Sequence, residues 1–201
     1  IKSLLPKIGF EHIQIVEPNF LVKKLVSVTL DLNAIAKGYA VDEVANLVAA
    51  NGIKSCMVEI GGEVFAAGFR PDGRRWRVGI NRPQKEAAFN EVYKVVSISN
   101  QAFATSGDYR NFFVVDGMRY SHIIDPRTGY PVSNGVVSAT IISETCTFAD
   151  GLATAIMVMG ADKGLELVNR IDGTEGLIII EKQDGGLVPH HSKGFEVDPQ
   201  R

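Results

Sequence analysis

Thr145 to Met159 is an apolar segment of helical length with one carboxylate inside it, Asp150, where a charge has no obvious place. Helical spacing sets Asp150 and Thr154 four residues apart, so both side chains leave the same face. A carboxylate and a hydroxyl presented together are hard oxygen ligands, suited to a magnesium ion shared with substrate phosphates. The same two residues also read as an intrahelical contact, with Asp150 bonded locally and Thr154 bonded back to a carbonyl one turn earlier. The segment alone leaves both readings open.

The rest of the chain sets the fold into which that helix must pack. Ile8 to Leu32 is mostly apolar and β-branched and reads as extended structure broken by a turn at Glu17-Pro18-Asn19. A helix follows from the Asp31 to Asp42 stretch to Asn51-Gly52, with Ala36, Ala40, Val44, Leu47 and Val48 as its expected apolar stripe. Gly38, one turn into that helix, is costly there, and such a residue often marks close approach of something to the backbone. Strands are expected at Ser55–Ile60, Val64–Phe69, Trp76–Ile80, Tyr93–Ser99 and Val136–Ser143. Asn111–Val115 and Met118–Ile124 form a hairpin through Asp116-Gly117. A helix from Asp162 to about Ile171 and a hairpin from Leu177 to Glu181 and from Leu187 onward complete the chain. Strand meanders with few helices point to an α+β domain with largely antiparallel sheets and helices packed on one side.

Composition removes several function classes. The 201 residues carry a formal net charge of −2, so no overall basic field recruits nucleic acid or anionic lipid. No apolar run approaches the roughly 20 residues needed to span a bilayer. Cys56 and Cys146 have no metal-binding spacing and leave the redox compartment open. Residue 1 is Ile and no basic-then-apolar leader follows it. The expectation is a leader already removed or a piece of a longer protein.

Four stretches hold more polar chemistry than packing needs. At the Asp31–Tyr39 strand-to-helix junction, unpaired amides favour anions and Lys37 adds a mobile charge; an ordinary cap with a solvated lysine is the alternative. Ala104-Thr105-Ser106-Gly107-Asp108-Tyr109 reads as a tight turn whose amides and hydroxyls could hold phosphate oxygens, or as a plain turn. Tyr120 to Gly129 sets His122 at the end of an apolar strand before a rigid Asp-Pro-Arg-Thr-Gly turn. Histidine is the side chain best matched to proton transfer near neutral pH, although a strand histidine also serves structure. The fourth stretch is the Asp150 helix. His190 and His191 are adjacent on a strand and face opposite ways, so they are not a metal pair.

Taken in order, these blocks carry a resemblance. They are Asp31-Leu32-x-Ala34-Ile35-Ala36-Lys37-Gly38-Tyr39-Ala40-Val41-Asp42, Gly61-Gly62-Glu63, Thr105-Ser106-Gly107-Asp108-Tyr109, Ser121-His122-Ile123-Ile124-Asp125-Pro126-Arg127-Thr128-Gly129 and Ala149-Asp150-x-x-Ala153-Thr154. The set closely resembles the FAD:protein FMN transferases, the ApbE family. The resemblance implies a T-fold-like α+β architecture and one domain over residues 1–201, without the N-terminal portion that members usually carry. It implies magnesium as cofactor and FAD as substrate, with FMN passed to a threonine hydroxyl of an acceptor flavoprotein in an electron-transfer complex. By position, the metal would be held by Asp150, Thr154 and backbone carbonyls of Ala34 and Ala153. Asp31 and Lys37 match FAD-contacting positions, Thr105 and Ser106 belong to the same cofactor-binding set, and Ile123 and Ile124 lie against the flavin nucleotide. His122 matches the base acting on the acceptor hydroxyl. Asn33 stands where the family more often has glycine or serine, and its side chain is expected to crowd the metal pocket. The resemblance also implies a periplasmic location, or one on the outer side of the cytoplasmic membrane, and it allows a homodimer. Two other readings use the same residues: an FAD pyrophosphatase, with water replacing threonine, and a truncated flavin binder without turnover.

Overall fold

In the computed structural model, which describes residues 1–84, 86–88, 91–109, 112–115 and 118–199, strands β1 (Ile13–Val16) and β2 (Phe20–Lys23) pair across the expected Glu17–Asn19 turn. That hairpin is the extended part of the 8–32 stretch; Phe10–His12 is a 3-10 turn and residues 24–32 form no strand. Helix α1 (Asn33–Ala50) follows, then the hairpin β3 (Cys56–Ile60) and β4 (Glu63–Ala67), and a second hairpin, β5 (Trp76–Asn81) and β6 (Val92–Ile98). Strand β7 (Gln101–Gly107) precedes the hairpin β8 (Phe112–Val115) and β9 (Met118–Ser121), whose expected Asp116-Gly117 turn lies outside the described residues. The short pair β10 (Ile124–Asp125) and β11 (Tyr130–Pro131) leads to β12 (Val136–Ser143). Helices α2 (Cys146–Met159) and α3 (Ala161–Val168) and strands β13 (Glu175–Glu181) and β14 (Leu187–His191) end the fold.

Six strands form the central antiparallel sheet in the order β14-β13-β12-β7-β4-β3. Its middle strand β12 is the β-branched run Val136–Ser143, buried at every position because both faces are covered. On one face, Ala104, Ala139, Ile141 and Ile178 pack against Ala149, Ile156 and Met157 of α2. Val41 of α1 joins them through Ala102 and Cys146. On the other face, Phe103, Ile142 and Ile179 meet Val78, Ile80, Val96 and Ile98 of the β5–β6 hairpin. The three helices therefore gather on one side, the α+β arrangement expected from the sequence. No helix among the described residues is long and apolar enough to cross a membrane. Both cysteines are free thiols, and burial pushes Cys146 up to about 12.

Two expectations fail here for physical reasons. The buried face of α1 is Gly38, Val41 and Ala45, whereas Val44 and Leu47 of the expected stripe are exposed. α1 is apolar nearly all round, and α2 selects the face with the smallest residues because there the two backbones can approach. A Cβ on Gly38 would stand 2.3 Å from the Cys146 carbonyl oxygen. The second correction is Thr105-Ser106-Gly107, which is not a turn but the end of β7, paired with β12. The reversal lies earlier, at Asn100, whose φ is 53°.

The start of α2 is held from α1. Asp42 Oδ1 accepts from the Cys146 N–H at 2.8 Å, and Oδ2 accepts from the Thr147 N–H at 2.8 Å and the Thr147 hydroxyl at 2.5 Å. Thr145 Oγ1 accepts from the Phe148 N–H, so the first turn of α2 is capped twice, once across the helix pair. Asp42→Ala is expected to lower the unfolding free energy by about 2 kcal/mol, because three donors lose a charged acceptor. Urea denaturation of the variant checks this.

Candidate active site

The α1–α2 crossing fixes Asp150. Its Oδ2 accepts from the Gly38 N–H at 2.9 Å, and the residue is 3% exposed. In a regular helix that N–H is directed at the Ala34 carbonyl; here a carboxylate on the neighbouring helix also takes it. No described residue donates to Asp150 Oδ1. One turn on, Thr154 shares a hydrogen bond of 2.9 Å with Ser106 on β7. The local alternative for this pair therefore does not hold: both side chains bond to other elements. Burial raises the Asp150 carboxyl above its ordinary range, while the Gly38 N–H and the Lys37 charge pull it back.

Asp150 and Thr154 open into a cleft of about 940 Å³ lined also by Asp31, Asn33, Ala34, Lys37, Thr105, Ser106, Gly107, His122, Ile123 and Ile124. Four separate stretches of chain meet there. Asp31 sits at the start of α1, its Oδ1 accepting from the Asn33 N–H at 2.8 Å. Asn33 does line the cleft, but its side-chain amide donates to Asp31 Oδ2 at 3.3 Å. The Thr105 hydroxyl is bonded to Thr140 at 2.8 Å. His122 is placed by a tight corner between β9 and β10, where the buried Ser121 hydroxyl accepts from the Ile123 N–H at 3.1 Å. Beyond it, Asp125 accepts from the Arg127 N–H and pairs with its guanidinium at 2.7 Å, which rigidifies the turn. Ala153 is apart from the others. It is fully buried among the α2–sheet contacts and is not in the cleft lining.

Two residues quoted in the sequence blocks without a task prove structural to the site. Asp42 caps α2, as above. Glu63 is 1% exposed, and its Oε1 lies 2.7 Å from Lys37 Nζ. A run of Gly-Gly before a glutamate was the available signal, but a glutamate after a turn is usually solvated.

A family model, the ApbE family, matches residues 1–178. The chain belongs to the ApbE family. Among curated relatives, the FAD:protein FMN transferase of Vibrio cholerae serotype O1 is 44% identical over 190 residues, covering 94% of this chain and 55% of that protein. The one from Salmonella typhimurium is 37% identical over 188 residues, covering 92% and 53%. The chain thus spans about half the length of the curated relatives it matches. Among solved ApbE structures, the Vibrio cholerae flavin transferase superposes with a TM-score of 0.83 at 40% identity, covering 96% of this chain and 60% of that one. The Pseudomonas stutzeri flavinyl transferase in its apo form gives 0.80 at 39%. The ApbE fold is thereby shown for this chain, with the α+β layering described above.

The ApbE cleft here also suits the metal its family implies. Asp150, Thr154 and Ala34 all line the cleft and each carries a hard oxygen, and the carboxylate is desolvated. Among the described residues no three or more His, Cys, Asp or Glu side chains cluster as a metal cage. A single carboxylate with neutral oxygens fits magnesium, which keeps waters and shares phosphates rather than filling an all-protein shell.

Proposed function

We propose that this chain transfers FMN from FAD to a threonine or serine hydroxyl of a target flavoprotein, releasing AMP, in a magnesium-dependent reaction. The observation that carries this reading is the convergence in one cleft of Asp150 and Thr154, Lys37 and His122, brought from three separate stretches of chain. The names of the relatives, FAD:protein FMN transferases, support the same substrate.

Magnesium bound by Asp150, Thr154 and the Ala34 carbonyl would neutralise charge on the diphosphate oxygens. Lys37, on the same helix as Ala34, donates N–H bonds to those oxygens. Ile123 and Ile124 provide an apolar surface for the flavin nucleotide. His122 accepts the proton of the acceptor hydroxyl as its oxygen bonds to the FMN phosphorus. The bond from that phosphorus to the bridging oxygen breaks, and AMP leaves with that oxygen. The acceptor is a subunit of an electron-transfer complex, and the reaction runs on the periplasmic side; both rest on family likeness alone.

The test is incubation with FAD, magnesium and an acceptor flavoprotein, followed by in-gel flavin fluorescence and AMP quantitation. Labelled acceptor with matching AMP is expected. AMP and FMN without label would assign a pyrophosphatase, and bound FAD without turnover a flavin binder. His122→Ala is expected to leave FAD affinity within about threefold and to slow transfer by about 10²–10⁴-fold, the usual worth of a positioned base. Equal loss of binding and rate in a titration and rate assay would instead assign His122 to binding.

A further inference from the structure

Glu63 is buried at the start of β4 and takes no part in the chemistry above. Its Oε1 lies 2.7 Å from Lys37 Nζ, and no described residue donates to its Oε2. Lys37 is half-exposed and lines the cleft; Glu63 lies behind it. Between them runs the Gly61–Gly62 turn, with φ of 63° and 103°, a backbone that side chains rarely adopt. A Cβ on Gly61 would stand 3.1 Å from Lys37 Cδ, so the bare turn leaves the track along which the lysine stem lies. The same turn brings Glu63 back beneath the ammonium.

We propose that Glu63 is a positioning residue that anchors the Lys37 ammonium over the Gly61–Gly62 turn and leaves its remaining N–H donors for the FAD diphosphate in the cleft. An ammonium has three donors, so one bond to Glu63 leaves two for ligand. A lysine left free on its flexible stem must be ordered at binding, which weakens affinity; an anchored one is ordered beforehand. Burial raises the Glu63 carboxyl, the nearby Asp150 charge adds to the rise, and Lys37 opposes it.

The sign of one substitution separates positioning from bulk electrostatics. Removing a negative charge near an anion site strengthens anion binding if charge alone matters. Positioning requires the reverse. FAD affinity at saturating magnesium would be measured for the wild type, Lys37→Met, the near-isosteric Glu63→Gln, and the double variant. Lys37→Met is expected to weaken FAD about tenfold, the worth of a charge-assisted hydrogen bond, and Glu63→Gln severalfold. The double variant should be no weaker than Lys37→Met, because Glu63 acts only through Lys37. Unchanged or tighter binding in Glu63→Gln, or losses that multiply in the double variant, overturns the proposal.

This binding arm rests on the transferase reading, so a second measurement is independent of it. In flavin-free protein, nitrogen NMR of the Lys37 ammonium should show an ordered, slowly exchanging group that becomes mobile in Glu63→Gln. Equal mobility in both proteins overturns the anchor. An ordered wild-type lysine in a protein that binds no FAD would leave the anchor standing and refute the substrate assignment.

Discussion

Asp150→Asn is expected to reduce flavin transfer by about 10³-fold while leaving the fold as stable as the parent or more so. The amide oxygen of asparagine can still accept from the Gly38 N–H, so the seat between α1 and α2 is retained. What disappears is the charge, and with it one hard anionic ligand beside the diphosphate; removal of a preorganised electrostatic group of this kind costs about 10²–10³-fold, and loss of the cation adds to it. Stability should move the other way. Asp150 is held in a buried site that raises its carboxyl, and a neutral side chain there relieves that desolvation. A rate assay and urea denaturation on the same preparation check both halves. Full magnesium-dependent activity in the variant would remove Asp150 from the metal site.

Gly38→Ala is expected to damage stability and activity together. In an exposed helix it would stabilise by about 1 kcal/mol through helix propensity. Here the added Cβ would sit 2.3 Å from the Cys146 carbonyl oxygen and 2.9 Å from Asp150 Cβ. One neighbour is backbone and the other holds the candidate metal ligand, so neither yields cheaply. Forcing α1 and α2 apart should cost about 3 kcal/mol, a net loss near 2 kcal/mol, with transfer falling because Asp150 moves from its N–H donor. Denaturation and rate measurements on Gly38→Ala should show both losses together; unchanged stability would mean the helices are not in backbone contact.

How much of this was legible in the sequence depended on whether the cause was local. The i, i+4 relation of Asp150 and Thr154, the β-branched run at 136–143 and the Gly160 stop of α2 are local patterns, and the structure has all three as read. The cost of Gly38 was legible too, though not that the approaching object was the neighbouring helix. The contacts that failed to show themselves are long-range. Asp42 lies 104 positions before the amide it caps, and Gly38 lies 112 before the carboxylate it binds. No spacing rule spans such separations. Thr105-Ser106-Gly107 misled because small hydroxyl residues beside glycine are turn chemistry, while here pairing with β12 overrides that preference. The buried face of α1 was misread because periodicity favours large apolar residues, and the helix crossing favours small ones.

The claim on which the rest stands is that Asp150 and Thr154 join a divalent cation to the diphosphate of FAD. The direct measurement is FAD affinity as a function of magnesium concentration in the wild type, Asp150→Ala and Thr154→Val. Linkage requires that a shared site let each ligand strengthen the other. Magnesium is expected to tighten FAD binding by about tenfold or more in the wild type and much less in either variant, in keeping with a coupling of about 1–3 kcal/mol. The same magnesium-dependent gain in all three proteins would contradict it.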